Sequence, residues 1–185
     1  PERRVLFLFL DGVGVGSANP DDNPFLRAAL PCLRDLLGGG IPTLEAPEAH
    51  RPGGVPRDKG RPPRGGPALA AGSAGHGPPE AVAFPLDSLL GVPGLPQSGT
   101  GQVALFTGIN APRLHGRHFG PWVPVGLRPL LEAENFLSRA QALGLSCAFA
   151  NAYPRGFETS PWARRPSGPA LMARAAGLML RHQEA

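Results

Sequence analysis

The chain has 185 residues, a formal net charge of +4 and a sequence pI near 10, with 42% hydrophobic and 17% charged residues. That length is one domain, or one and a fraction, and the charge is not evidence for nucleic acid. Lys59 is the only lysine among 18 basic residues, the excess of Arg, Ala, Gly and Pro is what a GC-rich coding sequence tends to yield, and no basic stripe with interleaved aromatics occurs.

Residues 4–10 form a continuous apolar run closed by Asp11-Gly12, the pattern of a central parallel strand buried on both faces. Six apolar residues are too few to span a membrane, and no small-residue cleavage site follows them, so a cytoplasmic protein is expected. The loop Asp11 to Gly16 has glycines spaced G-x-G-x-G with no helix directly behind, which excludes a dinucleotide fingerprint. An aspartate at the C-terminal end of a first strand sits where open α/β sheets bind ligands. Asp11 reads equally as a metal ligand or as the stabiliser of an Asx turn.

Asp22-Asn23-Pro24 opens a helix with Pro in its first turn, and Pro31 allows a second short helix over 33–37, ended by three glycines. Residues 41–44 are expected to form a short strand. Between Phe25 and Phe84 there is no aromatic residue, and from Glu45 to Ala83 Pro, Gly and Arg dominate. Such a stretch buries too little apolar surface to offset the entropy of ordering it, so 45–83 is expected to be a poorly ordered insert. It separates an N-terminal part, 1–44, from 84–185. His50 and His76 lie in it without an assigned role.

The prolines and glycines of residues 91–101 then give way to Gln102-Val103-Ala104-Leu105-Phe106-Thr107, read as the first turns of a helix. Ser98 and Thr100 stand where loop becomes helix. Either one simply caps it, or a hydroxyl is presented at a helix end whose N–H groups favour an anion. The loop from Pro112 to Pro121 carries Arg113, His115, Arg117 and His118, which are either solvated or arranged toward an anionic substrate. A helix is expected over 127–142, a second buried strand over 145–151, and a final helix over 169–180. Strand, helix and strand in that order imply a right-handed crossover in a parallel sheet. Cys32 and Cys147 read as free buried thiols.

With these pieces placed, the sequence resembles the alkaline phosphatase superfamily, in particular the branch of cofactor-independent phosphoglycerate mutase, phosphopentomutase and small bacterial metalloenzymes related to them. Three segments carry the resemblance: VLFLFLDGVGVG, the Asn23-containing helix with Pro31, Leu33 and Leu36, and LPQSGTGQVALFTG. GRHFGPW and FANAYP resemble the small metalloenzymes specifically. The resemblance implies an α/β core, a mostly parallel sheet with helices on both faces, here without its C-terminal part. It implies Ser98 as nucleophile, with Thr100, Gly101, Gln102, Arg113, Arg117 and His118 facing a small phosphorylated substrate. Two divalent ions, manganese or zinc, would flank Ser98, with Asp11 and Ser98 among their ligands; neither nucleic acid nor membrane is expected as a partner.

The donor inventory limits this picture. No aspartate follows Asp87. Beyond Ser98 the candidate ligands are Glu132, Glu134, Glu158, Glu184, His115, His118 and His182, and none forms an Asp-x-x-x-His or Asp-His grouping. The alternative expectation is a truncated, non-catalytic remnant that acts at most as an anion-binding or interaction module.

Overall fold

The structure is a computed structural model that describes residues 4–47, 49–51, 81–83 and 85–182. The chain divides into two compact units, Pro1–Leu86 and Asp87–Ala185.

In the first unit, α1 (Pro24–Arg27) begins where Asn23 caps it: Asn23 Oδ1 accepts from the Phe25 N–H at 3.2 Å, and Pro24 fills the first helical position. The Asn23 side chain is buried and also donates to the Ser17 carbonyl at 2.9 Å. Arg27 pairs with Asp21 across the start of the helix. Next, α2 (Pro31–Leu36) again opens on proline. In place of a strand over 41–44 there is a single parallel bridge, Gly16 to Thr43, with the Leu44 N–H bonded to the Gly16 carbonyl at 2.8 Å.

Residues 4–10 are assigned to no strand among the described residues, and Val5, Leu6, Leu8 and Leu10 are exposed. A continuous apolar run creates the capacity for a buried strand, but burial needs neighbouring strands and helices to supply ladder bonds and a covering layer. Within the stretch 45–83, β1 (Ala49–Arg51) pairs antiparallel with β2 (Ala81–Ala83). The remainder of the expected insert, residues 48 and 52–80 with His76, lies outside the described residues, as does Glu184.

The second unit is a helical layer around α3 (Ser98–Thr107), which packs on α4 (Ala111–His115), α5 (Arg128–Glu134) and α7 (Gly168–Ala175). Its core holds Val103, Phe106, Val123, Leu131 and Ala173, all essentially inaccessible to solvent. Burying one such side chain contributes roughly 1.5–3 kcal/mol.

The helix expected over 127–142 is instead two, α5 and α6 (Phe136–Ala142), parted at Asn135, whose φ and ψ of −70° and 150° are extended. Apolar spacing continues across the break, but Asn135 is fully buried and serves both helices. Its Oδ1 accepts from the Ser138 N–H at 2.9 Å to cap α6, while Nδ2 donates to the Leu131 carbonyl of α5 at 3.0 Å. Asn135→Ala removes the cap and leaves buried backbone groups unpaired, so its unfolding free energy, measured in urea, is expected to fall by about 2 kcal/mol.

Residues 145–151 are not assigned as a strand. The ladder begins one residue later, at β3 (Ala152–Tyr153), which pairs in parallel with β4 (Arg181–His182). One face of this extended segment meets the helices: Phe149, Tyr153 and Phe157 pack against Ala170, Ala173 and Leu180. Tyr153 and Phe157 stack with centroids 4.6 Å apart.

Candidate functional site

The loop-to-helix junction begins earlier than residue spacing indicates. Gln97 is the N-cap, with extended backbone and no side-chain cap hydrogen bond, and Ser98 is already the first helical residue. Ser98 and Thr100 therefore lie within α3 and are not its cap.

The loop 117–122 folds directly onto this first turn. The Thr100 N–H donates to the Phe119 carbonyl at 2.9 Å, and Thr100 Oγ1 accepts from the Phe119 N–H at 3.1 Å. Gly99 is needed for this approach: a Cβ there would lie 2.2 Å from the Trp122 carbonyl oxygen and 2.6 Å from that of Phe119. On the other side, a Cβ on Gly120 would meet Gln97 and the Ser98 nitrogen at 3.2 Å.

Of the expected substrate contacts, Thr100 and Gln102 are buried and hydrogen-bonded within the protein, and Gly101 and Arg113 are exposed. Thr100 is fully buried in the stitch to Phe119. Gln102 is buried, and its Oε1 accepts from the Gly168 N–H at 3.0 Å, which fastens the start of α7 to α3. Gly101 faces open space on the exposed side of the helix. Arg113 is exposed on α4, where its backbone N–H is capped by Asn110 at 3.1 Å.

Arg117 and His118 do come together, in an open cleft of about 480 Å³ that Pro93, Gly94 and Leu95 line from one loop and residues 117–120 from the other, with Gln97 at its edge. His118 ties the two loops together: its Nε2 lies 3.1 Å from the Val92 carbonyl. A carbonyl only accepts, so in this contact Nε2 carries the proton. The Arg117 guanidinium stands 5.8 Å from the Phe119 ring centroid. The lining contains an arginine and a histidine and no carboxylate, so the field in the cleft favours an anion. Ser98 is half-buried and directly follows the cleft residue Gln97. His115 is beside the cleft but packs edge-on against Phe119, with centroids 5.4 Å apart. Phe119 and Leu95, which also line the cleft, lie in segments that carry the resemblance but have no role of their own assigned from sequence. Neither belongs to a residue class that signals chemistry.

Asp11 lies in the first unit, where its Oδ1 accepts from the N–H of the next residue, Gly12, at 3.0 Å. Among the described residues no three His, Cys, Asp or Glu side chains gather into a group able to hold a metal. The described donors therefore do not fit a two-metal centre. No helix among the described residues is long and apolar enough to cross a membrane. The chain matches no family model, no curated protein and no solved structure.

Proposed function

We propose that this chain binds a phosphate monoester in the cleft beside α3 and transfers its phosphoryl group to Ser98. The observation that carries the reading is the position of Ser98. It opens a ten-residue helix without serving as its cap, one residue from a cleft whose only charged side chains are basic. Arg117 offers a planar fork of donors suited to phosphate oxygens. The helix dipole adds favourable potential at the same end. In the transfer, Ser98 Oγ forms a bond to phosphorus and the ester P–O bond breaks. Its electron pair leaves on the alcohol oxygen, which takes a proton from water, while the serine proton passes to water.

A second reading, a non-catalytic anion-binding module, is favoured by the lack of a three-ligand group among the described residues. Covalent trapping separates the two. Incubation with para-nitrophenyl phosphate and manganese or zinc, acid quenching and peptide mapping should place a phosphoryl group on Ser98. Reversible binding with neither adduct nor turnover would leave the anion-binding module.

A further inference from the structure

We infer that the cleft holds a second phosphoryl acceptor besides Ser98, the Nδ1 atom of His118. The inference rests on the reading of the cleft as a phosphate site and adds an acceptor atom to its chemistry. A neutral imidazole donates from one ring nitrogen and offers a lone pair at the other, and the hydrogen bond made by the first decides which is which. His118 lines the cleft, and its Nε2 carries the proton directed at the Val92 carbonyl, 3.1 Å away. The lone pair is therefore on Nδ1. The Nε2–Cδ2 edge of the ring faces the neighbouring loop, where a Cβ on Gly94 would stand 3.8 Å from Cδ2. Nδ1 shares no bond with either atom of that edge. It has no hydrogen-bond partner among the described residues and is not buried. His115, the other histidine of this loop, differs: its Nε2 is buried without a partner.

The tie to Val92 fixes both the ring and its tautomer, as a carbonyl partner does for histidines that act through their other nitrogen. Arg117, the next residue, also lines the cleft and brings a cation to offset phosphoryl charge. A serine oxygen must lose a proton when it is phosphorylated, whereas Nδ1 carries none, so this acceptor needs no base. That suits a lining without a carboxylate. With a phosphoramidate as donor, Nδ1 forms a bond to phosphorus and the donor's P–N bond breaks, its electron pair leaving on ammonia. The imidazole becomes cationic and keeps its Nε2 proton. The hydrogen bond to the Val92 carbonyl is then charge-assisted and stronger.

Incubation of the full chain with phosphoramidate, followed by peptide mapping at alkaline pH and by phosphorus and nitrogen NMR, tests the inference. The phosphoryl group should appear on His118 and on its Nδ1 alone, because a histidine without such a tie offers both nitrogens. His118→Gln, whose amide can still donate to the Val92 carbonyl, should lose this adduct. Arg117→Ala should slow its formation by at least about tenfold. No phosphoryl group on His118, a mixture of Nδ1 and Nε2 adducts there, equal labelling of His115, or a rate unchanged in Arg117→Ala would overturn it. The two acceptors are read separately, since phosphohistidine is lost in acid and phosphoserine survives it. A protein labelled on Ser98 alone keeps the transfer proposed above and loses this inference. One labelled on His118 alone keeps this inference and loses Ser98 as an acceptor.

Discussion

Turnover of a phosphate monoester is expected to fall by at least about 10⁴-fold in Ser98→Ala, the order of loss seen when a covalent nucleophile is removed. The helix start makes this substitution informative. Gln97 occupies the cap position, so the loss of the Ser98 hydroxyl does not remove a cap. Alanine is also a better helix former than serine. Circular dichroism should show that Ser98→Ala is folded and helical while turnover disappears. Undiminished turnover in a folded Ser98→Ala protein would refute Ser98 as the acceptor.

Gly99→Ala is expected to destabilise the second unit by about 3 kcal/mol, even though alanine outranks glycine in helices by roughly 1 kcal/mol. Close approach decides the sign. The new methyl would fall 2.2 Å and 2.6 Å from two backbone carbonyl oxygens. These belong to Trp122 and Phe119, and the second is bonded to the Thr100 N–H. Backbone atoms so tied cannot move aside as a flexible side chain would. Relieving the clash means pulling loop 117–122 off α3 and opening the cleft that Arg117 and His118 line. Gly101→Ala, two residues on in the same helix, is the internal control. Nothing lies within 4 Å of its added Cβ, so this variant should gain about 0.5–1 kcal/mol. Urea unfolding of the pair measures both signs. Stabilisation of the two variants by the same amount would show that helix propensity and not the loop contact governs this turn.

The effects at Thr100 and Gln102 explain why the site was only partly legible in advance. A binary apolar pattern places polar residues outward, and α3 mixes the two: Gly99, Thr100, Gln102, Val103, Phe106 and Thr107 are all buried. Thr100 and Gln102 are drawn inward by backbone groups 19 and 66 residues away in sequence. No local pattern encodes such partners. The same holds at Asn135, where unbroken apolar spacing indicated one helix and the tertiary contacts of a single carboxamide divide it.

Signals that act within a few residues could be read directly from the chain. Asn23 and Pro24 open α1, Pro31 opens α2, and Ser98 stands at the loop-to-helix junction. Capping, fixed proline φ and hydrophobic period are local energies, so they survive without knowledge of the fold. The remaining features depended on segments distant in sequence. The tertiary structure left residues 4–10 outside any assigned strand, started α3 at Ser98, turned Thr100 and Gln102 into internal ties, and set Arg117 and His118 opposite Leu95. Each outcome depends on which distant backbone group or apolar surface arrives alongside, a matter of packing that no window of neighbouring residues contains.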